Sequence, residues 1–241
     1  MNIITDSDPK FSDTFAQLHR IFSPTPFYSL NDIEYQKEYN VELPFKNVSA
    51  LILDGDKALC ALVGSLCVNG DNCTFDGFGR SVFYVEDSVL ANDYVKEKHV
   101  VKEIYKYLDY IFDENCVTGF SFHDFMRFGR INPVGLYLLD KGASVKPLYT
   151  RRIRLPQTEE SLKQQIRKSY KSLVNWGLKN IDLKILTHDN ITYADIDSFR
   201  SLHIKTAGRE TRSKATWEIQ YNQVMTGEAF IIVGYLDNRL V

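Results

Sequence analysis

The stretch SALILDGDKALCALVGSLCVNG, residues 49–70, constrains the fold more than any other part of the chain. Two arms that are nearly all apolar or small flank Asp54, Gly55 and Asp56, the composition of a tight turn, and this predicts a β-hairpin. CTFDGFGRSVFYVED follows, where Gly77 and Gly79 predict a bend between two aromatic strand pieces. In YVKEKHVVKEIYKYLDYIFDEN, Val100, Ile104, Tyr107, Leu108 and Ile111 recur at helical spacing, the clearest helix of the first half. VTGFSFHDF then reads as a buried strand. NPVGLYLLDKGASVKPLYTRRIRL reads as a short helix ending near Gly142 and a strand running into basic residues.

Composition changes around Pro156. In the segment that follows, Thr158 can cap a helix, Glu159 and Glu160 suit its positive end, and Gly177 can end it in a left-handed conformation. Leu162, Ile166, Tyr170 and Leu173 form its apolar stripe, and Lys163, Arg167 and Lys171 a basic row one turn apart. IDLKILTH alternates as a strand. TYADIDSFRSLHIKTAG opens on a capping box, Thr192 to Asp195, and closes at Gly208. SKATWEIQYNQVMTG, capped by Ser213, carries Trp217, Tyr221 and Val224 on one side and stops at Gly227. EAFIIVGYLDNRLV is a strand, an Asp237-Asn238 turn and the start of another strand. The predicted organisation is a complete α/β domain over residues 1–155 and an incomplete one over 156–241, read as cut short or completed by another chain, as in a homo-oligomer.

With 44% hydrophobic and 13% aromatic residues over 241 positions, the chain can bury a real core, in one large domain or two of ordinary size. A formal net charge of −2 excludes an overall basic coat for nucleic acid, so any anion binding is local. Cys60, Cys67, Cys73 and Cys116 form no CxxC pair and lie near no histidine at metal-ligand spacing, which favours buried free thiols in a reducing compartment. The acidic, polar start MNIITDSDPKF resembles neither a signal peptide nor a membrane span, so a soluble cytoplasmic protein with no transmembrane segment is the expectation.

Several stretches together resemble Fem-type aminoacyltransferases. PFYSLNDIEYQKEYN is similar to the tyrosine-flanked entry of those proteins, and DGFGRSVFY to their glycine-bearing bend. FSFHDFMRFGRINPV resembles their strand, arginine-aromatic pair and Asn-Pro ending. SLKQQIRKSYKSLVNWGLK resembles a helix carrying Arg167, Lys168, Lys171 and Gly177, and residues 207–241 resemble the opening of a second domain. The likeness runs over most of residues 25–241, and the order of the pieces carries it. It implies an α/β fold of acetyltransferase-like (GNAT) domains, each a mixed sheet flanked by helices. It also implies transfer of an acyl or aminoacyl group to an amine of a cell-envelope precursor or surface-polysaccharide sugar. Acyl-CoA or aminoacyl-tRNA would be the donor substrate, with no resident cofactor. The chain departs from the pattern in one serious respect, the absence after Val241 of the part that would supply the later strands and the acyl-carrier groove, and no Gly-rich loop for pyrophosphate occurs in the first domain either.

Candidate site residues follow from chemistry and from the resemblance together. Arg209 and Arg212 lie on a short loop between two capped helices, and forked guanidinium groups suit the phosphate or carboxylate of an anionic or lipid-linked acceptor. Their competing role is a solvent-facing loop with Glu210 as local partner. Arg167 and Lys168, with Arg151, Arg152 and Arg154 upstream, suit an anionic substrate or a tRNA backbone, against a solvated helix face. Tyr28, Tyr35 and Tyr39 either line an acceptor groove or tie down the N-terminal segment. His203 reads as a core histidine before a general base, and His123 and Asp124 as a hydrogen-bonding strand terminus before a catalytic pair. No catalytic base and no metal cluster is identified. Alternatives from other classes are a non-catalytic module that binds an anionic sugar-nucleotide or a protein, and an acyl-CoA-dependent N-acetyltransferase.

Overall fold

A computed structural model describes all residues except 24, 26, 89, 127, 128 and 150–157. Contacts divide the chain into two units. The first comprises residues 1–144 and 212–219, the second 145–211 and 220–241. Both are mixed α/β.

The first unit opens with β1 (Asn2–Thr5), α1 (Phe11–Phe22), α2 (Leu30–Tyr39) and a short β2 (Phe45–Asn47). The predicted hairpin then appears as β3 (Ala50–Asp54) and β4 (Lys57–Val63), turning through Gly55 at φ 64°. β5 (Ser65–Asn69), β6 (Asn72–Asp76) and β7 (Phe83–Glu86) follow, then α3 (Tyr94–Glu114), β8 (Val117–Phe120) and α4 (Pro133–Asp140). The strands run β1-β3-β4-β7 in one sheet and β2-β5-β6-β8 in the next, every pair antiparallel except the parallel β6–β8.

The apolar hairpin arms are explained by two cores. Alternate strand residues point to opposite faces. Ile52, Cys60 and Leu62 pack with Val100, Ile104, Leu108 and Ile111 of α3 and with Tyr137 and Leu138 of α4. Leu51, Leu53, Ala61 and Val63 pack with Phe11, Phe15 and Leu18 of α1 and Ile33 of α2. Because both faces are covered, neither parity can be polar. Each such side chain contributes about 1.5–3 kcal/mol when taken out of water.

The glycine-bearing bend joins β6 to β7. The Gly77 amide donates to the Arg80 carbonyl at 2.7 Å, and a Cβ at Gly77 would overlap the Ser81 carbonyl oxygen, so only glycine fits.

The second unit holds α5 (Glu159–Gln165), α6 (Lys168–Asn180), β9 (Asp182–Leu186), α7 (Tyr193–Ala207), the end of α8 (Lys214–Met225), β10 (Ile231–Leu236) and β11 (Arg239–Leu240). Its sheet runs β11-β10-β9, all antiparallel. Asp237 and Asn238 turn the hairpin with positive φ at both positions. Apart from the short β2, which pairs in the other sheet, the strand–helix–helix–hairpin order of β1-α1-α2-β3-β4 recurs as β9-α7-α8-β10-β11. In both, the first strand pairs antiparallel with the first arm of the hairpin. The capping box at Thr192 and Asp195 is formed, and Gly208 takes φ 71° at the end of α7.

Five expectations are corrected. The single basic helix is two, since Ile166 and Arg167 adopt extended backbone between α5 and α6. Gly177 lies inside α6, which continues to Asn180, so it ends nothing. Residues 143–149 form no strand, and the basic residues expected to follow lie outside those described. β8 is four residues of half-buried and exposed strand rather than a buried run, because it is the edge of its sheet. Cys60, Cys67 and Cys73 are buried free thiols, but Cys116 is exposed.

Candidate active site

The candidate site of the first unit lies where β7 and β8 diverge. β6 and β8 pair in parallel, and one further parallel bridge joins Val82 to Phe122. Beyond it, residues 83–86 of β7 pair only with β4 among the described residues, which leaves one edge of β7 without a strand partner. The residues of β7 are nonetheless all buried, so this edge is unpaired by a strand but not open to solvent.

Glu86 ends β7 at this point. It is 5% exposed and faces the same side as Tyr84, two residues earlier, whose hydroxyl donates to Glu86 Oε2 at 3.1 Å. Arg130, on the segment after β8, reaches Glu86 Oε1 at 3.5 Å through Nη2 and pairs through Nη1 with Glu97 of α3. Burial holds the Glu86 carboxyl above its ordinary value of 4.5, opposed by the Tyr84 hydrogen bond and the Arg130 charge and helped by nearby Glu97. Burial also pushes the Cys60 thiol, hydrogen-bonded to Tyr84, up to about 12, so this thiol is inert at neutral pH. Burial with a specific charge partner is a pattern that functional carboxylates share with structural ion pairs. Sequence reasoning missed Glu86. Its one available signal was a lone carboxylate closing the aromatic run SVFYVED, which reads equally as a strand end.

The N-terminus of α3, directly after this strand, is already filled. The Asp93 side chain caps it by accepting from the Lys96 amide at 3.0 Å. Asp87 nearby is held by Lys57 at 2.6 Å. Carboxylates here oppose a diphosphate at that helix end.

The residues expected from sequence are dispersed. Tyr28 is buried, stacks on Phe83 at 4.6 Å between ring centroids and donates its hydroxyl to the Ser81 carbonyl at 2.7 Å. It fastens the N-terminal segment to the bend. Arg212 belongs to the first unit and is half-buried. Its guanidinium lies 3.6 Å from the Trp217 ring centroid and donates to the Tyr35 hydroxyl at 2.7 Å. Trp217 is in the core, as expected. Tyr35 stacks on Tyr39 within α2, and Tyr39 is exposed, so of the two only Tyr35 ties the helix down, through Arg212. Arg209 is exposed in the second unit, and Glu210 pairs with Arg200 at 3.3 Å rather than with it.

Arg167 and Lys168 are exposed at the start of α6, beside an open cleft of about 200 Å³ lined by Lys163, Gln164, Ile166, Lys171, Val174 and Asn175. Arg151, Arg152, Arg154 and the arginine-aromatic pair Arg127-Phe128 lie outside the described residues. Asp124 accepts from the Met126 and Asn132 amides, both at 2.8 Å, which makes it a loop brace. His123 stacks on Phe125. His203 is half-buried on α7. Among the described residues, no group of three or more His, Cys, Asp or Glu side chains could hold a metal ion, and no helix is long and apolar enough to cross a membrane.

No protein-family model and no curated protein sequence matches the chain.

Proposed function

We propose that the chain is a Fem-like transferase built from acetyltransferase-like (GNAT) units, moving an acyl or aminoacyl group to an amine of a cell-envelope precursor or surface-polysaccharide sugar. The observation that carries this reading is the parting of β7 from β8, with Glu86 at the end of β7 and its carboxyl raised by burial. The repeated strand–helix–helix–hairpin order supports it, as does the resemblance in the sequence. In the reaction, the amine nitrogen attacks the donor carbonyl, the new C–N bond forms and the bond to the carrier breaks. Glu86 takes the proton from the amine, and the departing carrier oxygen or sulfur is protonated. The unpaired edge of β7 offers backbone amides for the oxyanion.

The filled N-terminus of α3 favours aminoacyl-tRNA over acyl-CoA as donor, because the position that would receive a diphosphate already holds the Asp93 carboxylate. Arg209, in the second unit, is exposed and has no ion pair among the described residues, so its guanidinium can take an anion there. Arg212 already stacks on Trp217. One observation favours a binding module instead: Arg130 bridges Glu86 and Glu97, an arrangement that also serves to brace the segment after β8.

Thermal unfolding with acetyl-CoA, aminoacyl-tRNA or a nucleotide-sugar separates these readings. A ligand at about 100 times its Kd stabilises the folded state by about 2.7 kcal/mol. Aminoacyl-tRNA is expected to raise Tm, with product formed only when Glu86 is intact. A shift with acetyl-CoA alone would replace this reading with an N-acetyltransferase, and a shift with the nucleotide-sugar and no turnover would replace it with a binding module.

A further inference from the structure

Helix α6 of the second unit is amphipathic yet buries none of its residues. Tyr170, Leu173, Val174, Gly177 and Leu178 follow the i, i+3, i+4, i+7, i+8 spacing of a single apolar face. Such a face on a globular protein normally lies against a core, but here Leu173 is 63% exposed and Leu178 57%. The opposite face is basic, with Lys168, Lys171 and Lys179, and Arg167 precedes it at the cap. None of these four cations forms an ion pair among the described residues. From residue 161 to residue 181 there are five cations and no carboxylate, in a chain whose net charge is −2. The rest of the molecule is acidic on balance, so attraction to a negatively charged surface is local, and this segment is one of the places that can supply it.

We propose that α6 docks the chain flat on an anionic lipid surface. The lysines would meet the headgroups, Leu173, Val174 and Leu178 would enter the acyl boundary, and Tyr170 would sit at the interface. Charge selects the surface, since a basic amphipathic helix is drawn to anionic lipid, and the bare apolar face selects lipid over nucleic acid. A polyphosphate backbone would use the cations and leave Leu173 and Leu178 without a role. The inference stands on α6 alone and needs no part of the transferase reading.

The test is flotation of the full chain with vesicles of phosphatidylcholine alone and of phosphatidylcholine mixed with phosphatidylglycerol. Binding to the mixed vesicles only is expected, falling as salt is raised. Lys168→Glu with Lys171→Glu should weaken it by more than about 25-fold, since each cation near the surface contributes about 5-fold. Leu173→Ser with Leu178→Ser should weaken it by about 10-fold or more. All four positions are exposed, so circular dichroism and Tm should match the parent. Absence of binding to mixed vesicles, equal binding to both compositions, or binding unchanged in the serine variant would each overturn the proposal. Retention by tRNA with no vesicle association would assign the patch to nucleic acid instead.

Discussion

Replacing Arg130 with methionine tests the electrostatics of the candidate site most directly. Arg130 is the cation shared by Glu86 and Glu97, whose side chains are 6% and 15% exposed. Removing one partner of a fully buried pair costs about 3–5 kcal/mol. Arg130 is itself 37% exposed, so screening lowers that figure, and about 2 kcal/mol is expected near neutral pH. For a chain of this size the loss corresponds to about 4–8 °C in Tm.

The pH dependence gives the sign. Glu86 has a raised pKa in the folded state, so its contribution to stability is fully present below the unfolded value of 4.5 and is lost as pH rises through the folded value. The Arg130 charge opposes that rise, and without it the pKa climbs further. The penalty of Arg130→Met should therefore be small near pH 5 and reach its full size near pH 8. Adding Glu86→Gln removes the charge that lost its partner, while the amide oxygen still accepts from Tyr84. The double variant should recover most of the stability at the higher pH. Urea denaturation followed by circular dichroism at the two pH values measures all three proteins. A loss that is equal at both pH values, or that Glu86→Gln does not relieve, would refute the argument.

Two further predictions concern the first unit. Gly77→Ala drives a methyl group into the Ser81 carbonyl, which is backbone and cannot swing aside, so the midpoint of urea unfolding should fall by the equivalent of about 2 kcal/mol or more. Wild-type stability in that variant would show that the bend is free to shift. Titration with an aromatic disulfide reagent should find one fast thiol in the native protein, Cys116, and four after unfolding. Cys116→Ser should abolish the fast phase, and a persisting fast phase would mean that one of the buried thiols is accessible.

Much of the secondary structure was legible because it rests on short-range rules. The turn at Gly55, the periodicity of α3, the cap at Thr158, the box at Thr192 and Asp195 and the stop at Gly208 each depend on residues within a turn or two of one another. The helix break at Ile166 and Arg167 was not legible. Neither position holds glycine or proline, and the apolar spacing from Leu162 to Leu173 runs straight across it. Tyr28 and Arg212 were visible as interesting residues, but their partners Phe83, Ser81 and Tyr35 are distant in sequence. A residue's own chemistry cannot distinguish a ligand contact from a structural one.

The chain by itself determined its alternation of strands and helices, the position of the central hairpin, and a net charge that confines anion binding to a local patch. Those properties follow from side-chain periodicity, backbone preference and counting. Only the tertiary structure decided that β7 and β8 part after Val82, that Glu86 is buried between Tyr84 and Arg130, and that residues 212–219 join the first unit while α6 buries nothing. These depend on which distant segments meet. A carboxylate acquires a raised pKa, and an apolar stripe becomes a free surface, only through what lies against it.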